Sequence, residues 1–241
     1  MAAGAAGQTP LAVVTGGSRG LGRALAGQLA VAGWQVIVDG RDPARLADAA
    51  REMVAGQVTA LAGDVSDAGH RERLADAVTA AGGGLDLLVN NASMLGPSPQ
   101  PALADYPLPV LQQVYAVNTF APLALLQALL PALTARGGRV VNVSSDAAVE
   151  AYPGWGGYGS SKSALDQLTA VLAAEHPDLR CYAFDPGDMA TDLHQQAFPG
   201  EDISDRPSPE SVVPALIRLV TSDLPSGRYR AADLATVQGP A

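Results

Sequence analysis

The stretch LAVVTGGSRGLG, residues 11–22, decides the fold. Its first four residues are apolar and run into Thr15. Gly16, Gly17 and Gly20 follow, and from Leu21 the apolar residues recur at helical spacing. An apolar run that stops at glycines and gives way to helical periodicity reads as a buried strand, a tight turn and a helix. Glycines let the chain turn sharply and leave backbone bare to a close-packed ligand. The first turn of the helix adds free N–H groups and a partial positive charge. Thr15, Gly16, Ser18, Arg19, Gly20, Leu21 and Gly22 are thus candidate contacts for a pyrophosphate. A glycine-rich turn alone fits a purely structural bend equally well, so the rest of the chain has to decide.

Outward from this turn the same alternation recurs. Strands are predicted over 11–15, 35–39, 58–61, 85–89, 139–143, 180–184 and 227–229, and helices over 21–31, 43–54, 70–80, 111–133 and 158–174. Pro43 opens its helix at a position where a missing N–H costs nothing. Short β-branched strands buried on both faces and separated by helices indicate a doubly wound parallel sheet: a three-layer α/β fold with right-handed crossovers. No break in composition divides the chain. Residues 1–10 read as a disordered tail and 11–241 as one domain. The proline- and acid-rich stretch 195–209 follows a strand's C-terminal end, where ligands bind in this architecture. Residues 188–209 therefore read as a lid over a site or as a solvated connection, with the position favouring the lid.

Composition narrows the function classes. The 241 residues are 48% hydrophobic and 16% charged, a foldable balance. A domain of this size buries roughly 70% of its unfolded surface and needs no staple. The net charge of −9 opposes a polyanion, so nucleic acid is not expected as a partner. The single cysteine, Cys181, permits no intrachain disulfide and reads as a small buried hydrophobe. Three scattered histidines and one cysteine make no metal-ligand cluster, so no metal is expected. The longest apolar stretch, 121–133, is too short to span a bilayer and is interrupted by Pro122, Gln127 and Pro131. With no leader pattern at the start, the expectation is a cytoplasmic protein without a membrane partner.

The second half carries chemistry. Tyr158 and Lys162 are four apart at the start of a predicted helix, on one face. A tyrosine near pKa ~10 is a sluggish proton donor at neutral pH, and a nearby cation favours its phenolate. Ser145 follows a strand and can hydrogen-bond a substrate oxygen. Lys162 is the only lysine; the other fourteen basic residues are arginine. A compact ammonium therefore stands where the composition prefers a guanidinium, which supports a chemical role. Asn118 lies within the helix predicted over 111–133, four residues before Pro122. Proline has no N–H, so the Asn118 carbonyl loses its helical partner and is free to hold a water. The residues alone leave the dinucleotide open. Asp39, ending the second strand, suits the ribose hydroxyls of NAD, whereas Arg19 and Arg41 suit the 2′-phosphate of NADP.

These residues, in this order, resemble the short-chain dehydrogenase/reductase family over about residues 11–191. Residues 15–22 have its cofactor form TGxxxGxG. Asp64-Val65 matches its adenine-reaching aspartate. Asn90-Asn91-Ala92 matches its NNAG motif, with Ser93 in place of glycine. Asn118, Ser145, Tyr158 and Lys162 match its catalytic tetrad, with Tyr158 thirteen positions after Ser145. Asp185-Pro186-Gly187, followed by Thr191, matches its PG motif, with Asp185 where asparagine is commoner. Residues 204–241 fit the family less clearly.

The resemblance implies a Rossmann fold with a seven-stranded sheet. It implies that Tyr158 is the general acid/base, that Lys162 holds the nicotinamide ribose and depresses the tyrosine pKa, that Ser145 positions the substrate oxygen, and that Asn118 holds a relay water. Val65, Asn91, Ala92, Pro186, Gly187, Met189 and Thr191 join Asp64 as implied cofactor contacts. The family's NAD-selecting acid falls at Gly40 rather than Asp39, while Arg19 and Arg41 occupy positions typical of NADP-preferring members. NADP(H) is therefore favoured, with NAD(H) the alternative. Ser93 and Asp185, the two departures, are expected to leave the tetrad untouched. A homodimer or homotetramer built on the helices over 111–133 and 158–174 is common in the family.

The expected activity is hydride transfer between a nicotinamide and a carbonyl or alcohol. Met94, Leu95, Tyr152, Trp155, Met189, His194 and Phe198 are candidate pocket walls; most are apolar and suit an apolar small molecule. The rivals are an NAD-dependent alcohol dehydrogenase, a non-catalytic dinucleotide sensor, and an epimerase or dehydratase using bound NAD.

Overall fold

The computed structural model describes residues 8–235. Residues 1–7 of the tail read over 1–10, and residues 236–241, lie outside the described residues. The sequence runs β1 (Leu11–Val14), α1 (Gly20–Val31), β2 (Gln35–Gly40), α2 (Pro43–Arg51), β3 (Val58–Ala62), α3 (Ala68–Ala80) and β4 (Leu87–Asn90). It continues through α4 (Leu108–Tyr115), α5 (Ala121–Thr134), β5 (Arg139–Val143), α6 (Gly156–Glu175), β6 (Arg180–Asp185), α7 (Asp192–Ala197), α8 (Pro209–Thr221), β7 (Gly227–Arg230) and α9 (Ala231–Ala235). Seven strands form one parallel sheet in the order β3-β2-β1-β4-β5-β6-β7. The order reverses between β1 and β4, which opens a crevice at the strands' C-terminal ends.

The sheet explains the unbroken apolar runs. Along β1, Ala12 and Val14 enter a core with α1 and α8, while Leu11 and Val13 enter the opposite core with α3, α5 and α6. A strand clad on both faces has no polar alternate positions. Side-chain caps fix two helix starts: Asp42 accepts from the amides of Ala44 and Arg45 at α2, and Asp67 from the His70 amide at α3.

Four elements differ from the sequence reading. Most of β3 is exposed, because it is an edge strand with β2 as its neighbour. The helix read over 111–133 begins earlier and is interrupted by a π-turn at Ala116–Phe120, where the Ala121 amide reaches back to the Ala116 carbonyl. That widened turn sits directly ahead of Pro122, whose ring nitrogen cannot donate to Asn118. Together these segments, Leu108–Thr134, make 27 residues, long and apolar enough to cross a membrane by length and composition. Here Leu125, Leu126, Leu129 and Leu133 pack into the sheet's core, which accounts for the hydropathy. The third difference is α8, which the sequence reading left without structure. Val212, Val213, Leu216, Leu219 and Val220 bury one face of it against α1, despite Pro214 in its interior. The fourth is α7, a short helix inside the segment read as a lid.

Candidate active site

A cleft of about 560 Å³ opens over the β1–β4 crevice. It runs from Arg41 and Asp64 at one end, past the glycine turn, to Ser145, Tyr158 and Lys162 at the other. Gly16, Ser18, Arg19, Gly20, Leu21, Val65, Asn91, Ala92, Pro186, Gly187, Met189 and Thr191 also line it. Of the sequence-predicted site residues, Thr15, Gly22 and Asn118 lie behind this wall.

The two motifs at the floor brace each other. The Thr15 hydroxyl accepts from the amides of Asn91 and Ala92, each at 3.0 Å. The Asn91 side chain donates to the carbonyls of Thr15 (2.8 Å) and Gly16 (3.2 Å). This close approach requires bare backbone. Gly16 has φ +69, and a Cβ there would sit 2.9 Å from the Asn91 amide nitrogen. A Cβ at Gly22 would meet the Gly16 carbonyl at 2.5 Å. The start of α1 has no side-chain cap, unlike α2 and α3, so its first N–H groups face the cleft without one.

The Asp39 side chain is engaged within the protein. Its carboxylate is buried: one oxygen accepts from the Gly16 amide at 2.6 Å, and the other lies 3.0 Å from His70 Nε2. His70 Nδ1 in turn meets Arg73 at 3.0 Å. The acid that argued for NAD is therefore a strut under the glycine turn. At Gly40 there is no side chain to select a ribose, and Ser18 fills the space beside it. Arg41 lines the cleft near Asp64. Burial would raise the Asp64 carboxyl, but hydrogen bonds from Ser66 and the charges of Arg41 and His70 outweigh it and hold the group below its ordinary value. Arg19 ion-pairs with Asp192 at the start of α7, and Arg45 lies 3.2 Å from the same carboxylate. These two hold Asp192 below its ordinary value, the Arg19 hydrogen bond contributing most.

The reactive end is buried. Tyr158 keeps 6% of its surface and Lys162 1%. Lys162 Nζ donates to the Val143 carbonyl at 2.7 Å and stands 5.6 Å from the centre of the Tyr158 ring. Burial pushes the Tyr158 hydroxyl up to about 12, Ser93 pulls it back through a hydrogen bond, and the charges of Asp146 and Asp185 add to the rise. Desolvation dominates this shift, and Lys162 is not among its causes. Lys162 itself is lowered to about 8 by burial, against the opposing charge of Asp166. The Ser145 hydroxyl donates to Asp146 at 2.8 Å. The Asn118 side chain clamps Met94, accepting from its amide (2.8 Å) and donating to its carbonyl (2.9 Å), and also donates to Ser161 at 3.0 Å.

The short chain dehydrogenase family model matches residues 10–202. The chain belongs to the short-chain dehydrogenase family. It is 41% identical over 175 residues to the short chain dehydrogenase asqE of Emericella nidulans, a match covering 68% of this chain and 64% of that relative. The chain thus spans a little under two-thirds of that relative's length. A short-chain dehydrogenase from Shigella flexneri, solved in complex with NADP, superposes with a TM-score of 0.86 at 30% identity, covering 92% of this chain and 97% of that one. An alcohol dehydrogenase from the archaeon Thermococcus sibiricus, complexed with 5-hydroxy-NADP, superposes with a TM-score of 0.83 at 28% identity, covering 92% and 96%.

In this short-chain dehydrogenase the candidate pocket walls separate into four kinds. Trp155, Met189 and His194 line the cleft beside Tyr158. Phe198 packs behind them, 6.0 Å from Trp155 and 4.8 Å from His194 between ring centres. Leu95 is buried with Ala147 and Tyr158, and Met94 is held by Asn118. Tyr152 is exposed, bonded to Glu150 and Asp146 instead. Of the segment 188–209, residues 188–194 and 208–209 line the cleft and residues 195–207 do not, and the Ala190 amide bonds the Pro207 carbonyl.

Sequence reasoning missed Arg45 and Asp192 at one end and Asp146 at the other. Arg45 was legible as a third cation one turn into α2. Nothing in the sequence pairs Asp192 with arginines so far away in the chain. Of the two departures from the family motifs, expected to leave the tetrad untouched, Ser93 touches it and Asp185 adds only its charge. Ser93 bonds Tyr158 and donates to the Asn118 side chain at 3.3 Å. Asp185 acts on Tyr158 through its charge.

Proposed function

We propose that this short-chain dehydrogenase uses NADP(H) and interconverts a carbonyl and an alcohol on an apolar small molecule, with Tyr158 as general acid/base. One observation carries this reading: a single cleft has Arg19 and Arg41 at one end, with Arg45 beside them on the cleft-lining Asp192 and the Asp39 carboxylate engaged by Gly16 and His70, and Tyr158 with Lys162 and Ser145 at the other. The relatives solved with NADP and 5-hydroxy-NADP support it. The residues present fit a dinucleotide: bare backbone at the glycine turn, an uncapped helix start for the pyrophosphate, and guanidinium groups for a 2′-phosphate.

When bound, the dinucleotide supplies or takes up the hydride. Everything else falls to the protein. With its hydroxyl pushed up by burial, Tyr158 is protonated at neutral pH, the form that can donate to a developing alkoxide. Ser145 is placed to bond the same oxygen once its hydroxyl turns from Asp146. Lys162 keeps a positive charge at neutral pH and is fixed by the Val143 carbonyl. Trp155, backed by Phe198, offers apolar contact.

The reading extends to a cytoplasmic homodimer or homotetramer through the outer faces of α5 and α6, without a membrane or nucleic-acid partner. Exposed Phe120 and Val171 near those faces support the assembly. Titration of the purified protein with NADPH and NADH, followed by nicotinamide fluorescence, tests the cofactor. NADPH should bind at least about tenfold tighter, the value of one charge-assisted phosphate contact. Equal affinities would show that the arginines do not read a phosphate.

A further inference from the structure

Asp185 ends β6 where its family commonly has a neutral asparagine, and its side chain is only 3% exposed. One carboxylate oxygen accepts from the Gly187 amide at 3.0 Å. The other lies 3.0 Å from Arg228 Nη2 and 4.0 Å from Arg230 Nε. Arg228, on the edge strand β7, does more than pair with it. Its Nε lies 3.1 Å from Asp166, one turn beyond Lys162 on α6, with a side chain 15% exposed. Its Nη2 also donates to the carbonyl of Ser145 at 2.8 Å. One guanidinium therefore joins the ends of β5 and β6 to the helix carrying Tyr158 and Lys162.

A buried carboxylate is tolerated only when paired and hydrogen-bonded. The planar fork of arginine can meet two carboxylates and a carbonyl at once, which an ammonium on a flexible stem does not do as well. We propose that Arg228 is a positioning residue of the active site: it neutralises Asp185 and Asp166 together and holds the Ser145 backbone, so that Asp185 and Arg228 do as a pair what a neutral side chain does alone. This rests on the reading of Ser145, Tyr158 and Lys162 as the reacting set. The charged and titratable groups around Tyr158 are Asp146 after β5, Asp185 on β6 and Lys162 on its own helix. Asp185 and Asp146 raise its proton affinity, and Arg228 offsets the first of them.

The test compares Arg228→Met, Asp185→Asn and the double variant. Arg228→Met should lower kcat by about 30-fold, with the fluorescence-derived NADPH Kd changed less than about threefold. Adding Asp185→Asn should recover about tenfold, because the unpaired carboxylate is then gone. Asp185→Asn alone should move the alkaline fall of the reduction rate to lower pH, since a negative charge beside Tyr158 is removed. A merely structural arginine gives a loss that Asp185→Asn does not recover; that result overturns the proposal, as does an unmoved pH profile in Asp185→Asn alone. If Arg228→Met does not fold, Arg228→Lys takes its place: it should lower kcat, and adding Asp185→Asn should recover part of that loss; no recovery overturns the proposal. A wild type that binds NADPH yet reduces no carbonyl overturns the proposed function instead. The melting midpoints then decide the pairing: Asp185→Asn should restore part of what Arg228→Met loses, and no recovery overturns it.

Discussion

At the arginine-rich end of the cleft the side chains of Arg19, Arg45 and Asp192 are 43%, 52% and 56% exposed, whereas at the other end Tyr158 and Lys162 keep 6% and 1% of their surface. Water screens the first group, so each ion pair there is worth about 1 kcal/mol or less and can be exchanged for another anion at little cost. Desolvation governs the second group, where it moves Tyr158 up and Lys162 down. On the proposed function, choice of cofactor rests on interchangeable surface charges and chemistry on buried groups. His70 and Asp39 lie between the two: buried like the reactive end, but attached to the turn that faces the phosphates.

This contrast can be broken at its strongest point. Tyr158→Phe should lower turnover by roughly 100-fold or more while NADPH binding stays within about threefold, as loss of a general acid does. Steady-state rates with a fluorescence titration measure both, and retained turnover would remove Tyr158 from the mechanism. The pH dependence follows from the raised hydroxyl. Reduction needs the protonated form, so its rate should hold from neutral pH into the alkaline range and fall only as Tyr158 ionises. Oxidation needs the phenolate and should rise over that same alkaline range. A reduction rate that collapses near neutrality would contradict the burial argument.

His70→Ala should come next. It leaves the Asp39 carboxylate buried without its partner and should cost about 1–3 kcal/mol of stability in denaturant unfolding, weakening NADPH through the Gly16 amide. An unchanged midpoint with unchanged NADPH affinity would show that the strut carries nothing. Arg41→Ala should weaken NADPH by about tenfold and NADH far less, through loss of one phosphate contact; equal losses would disprove the phosphate reading. Smallest of all, Asp192→Asn should tighten NADPH by about two- to threefold, because Arg19 and Arg45 lose a competing anion. Weaker binding would mean that Asp192 orders the arginines for the phosphate.

The sequence made legible whatever rests on local pattern or on the demands of chemistry. Strand and helix alternation followed from apolar period, and the spacing of Tyr158 and Lys162 on one helical face followed from helix geometry. The π-turn was legible as a break at Pro122, though not as a widened turn. What escaped depends on partners far along the chain. The exposure of β3 comes from its place at the sheet edge. Asp39 looked like a ribose acid until His70, 31 residues on, took its second oxygen. Arg228 meets Ser145 across 83 residues, and no local pattern announces that contact. α8 was hidden by Pro214, although Val212, Leu216 and Leu219 carry the helical period.

The most direct measurement of the central claim is isotope transfer. The protein is incubated with NADPH deuterated at the transferring position and a panel of apolar ketones, and the products are read by mass spectrometry. The account predicts an alcohol carrying one deuterium on the former carbonyl carbon, formed by the wild type and nearly absent with Tyr158→Phe. A wild type that binds NADPH yet passes deuterium to no carbonyl would contradict it.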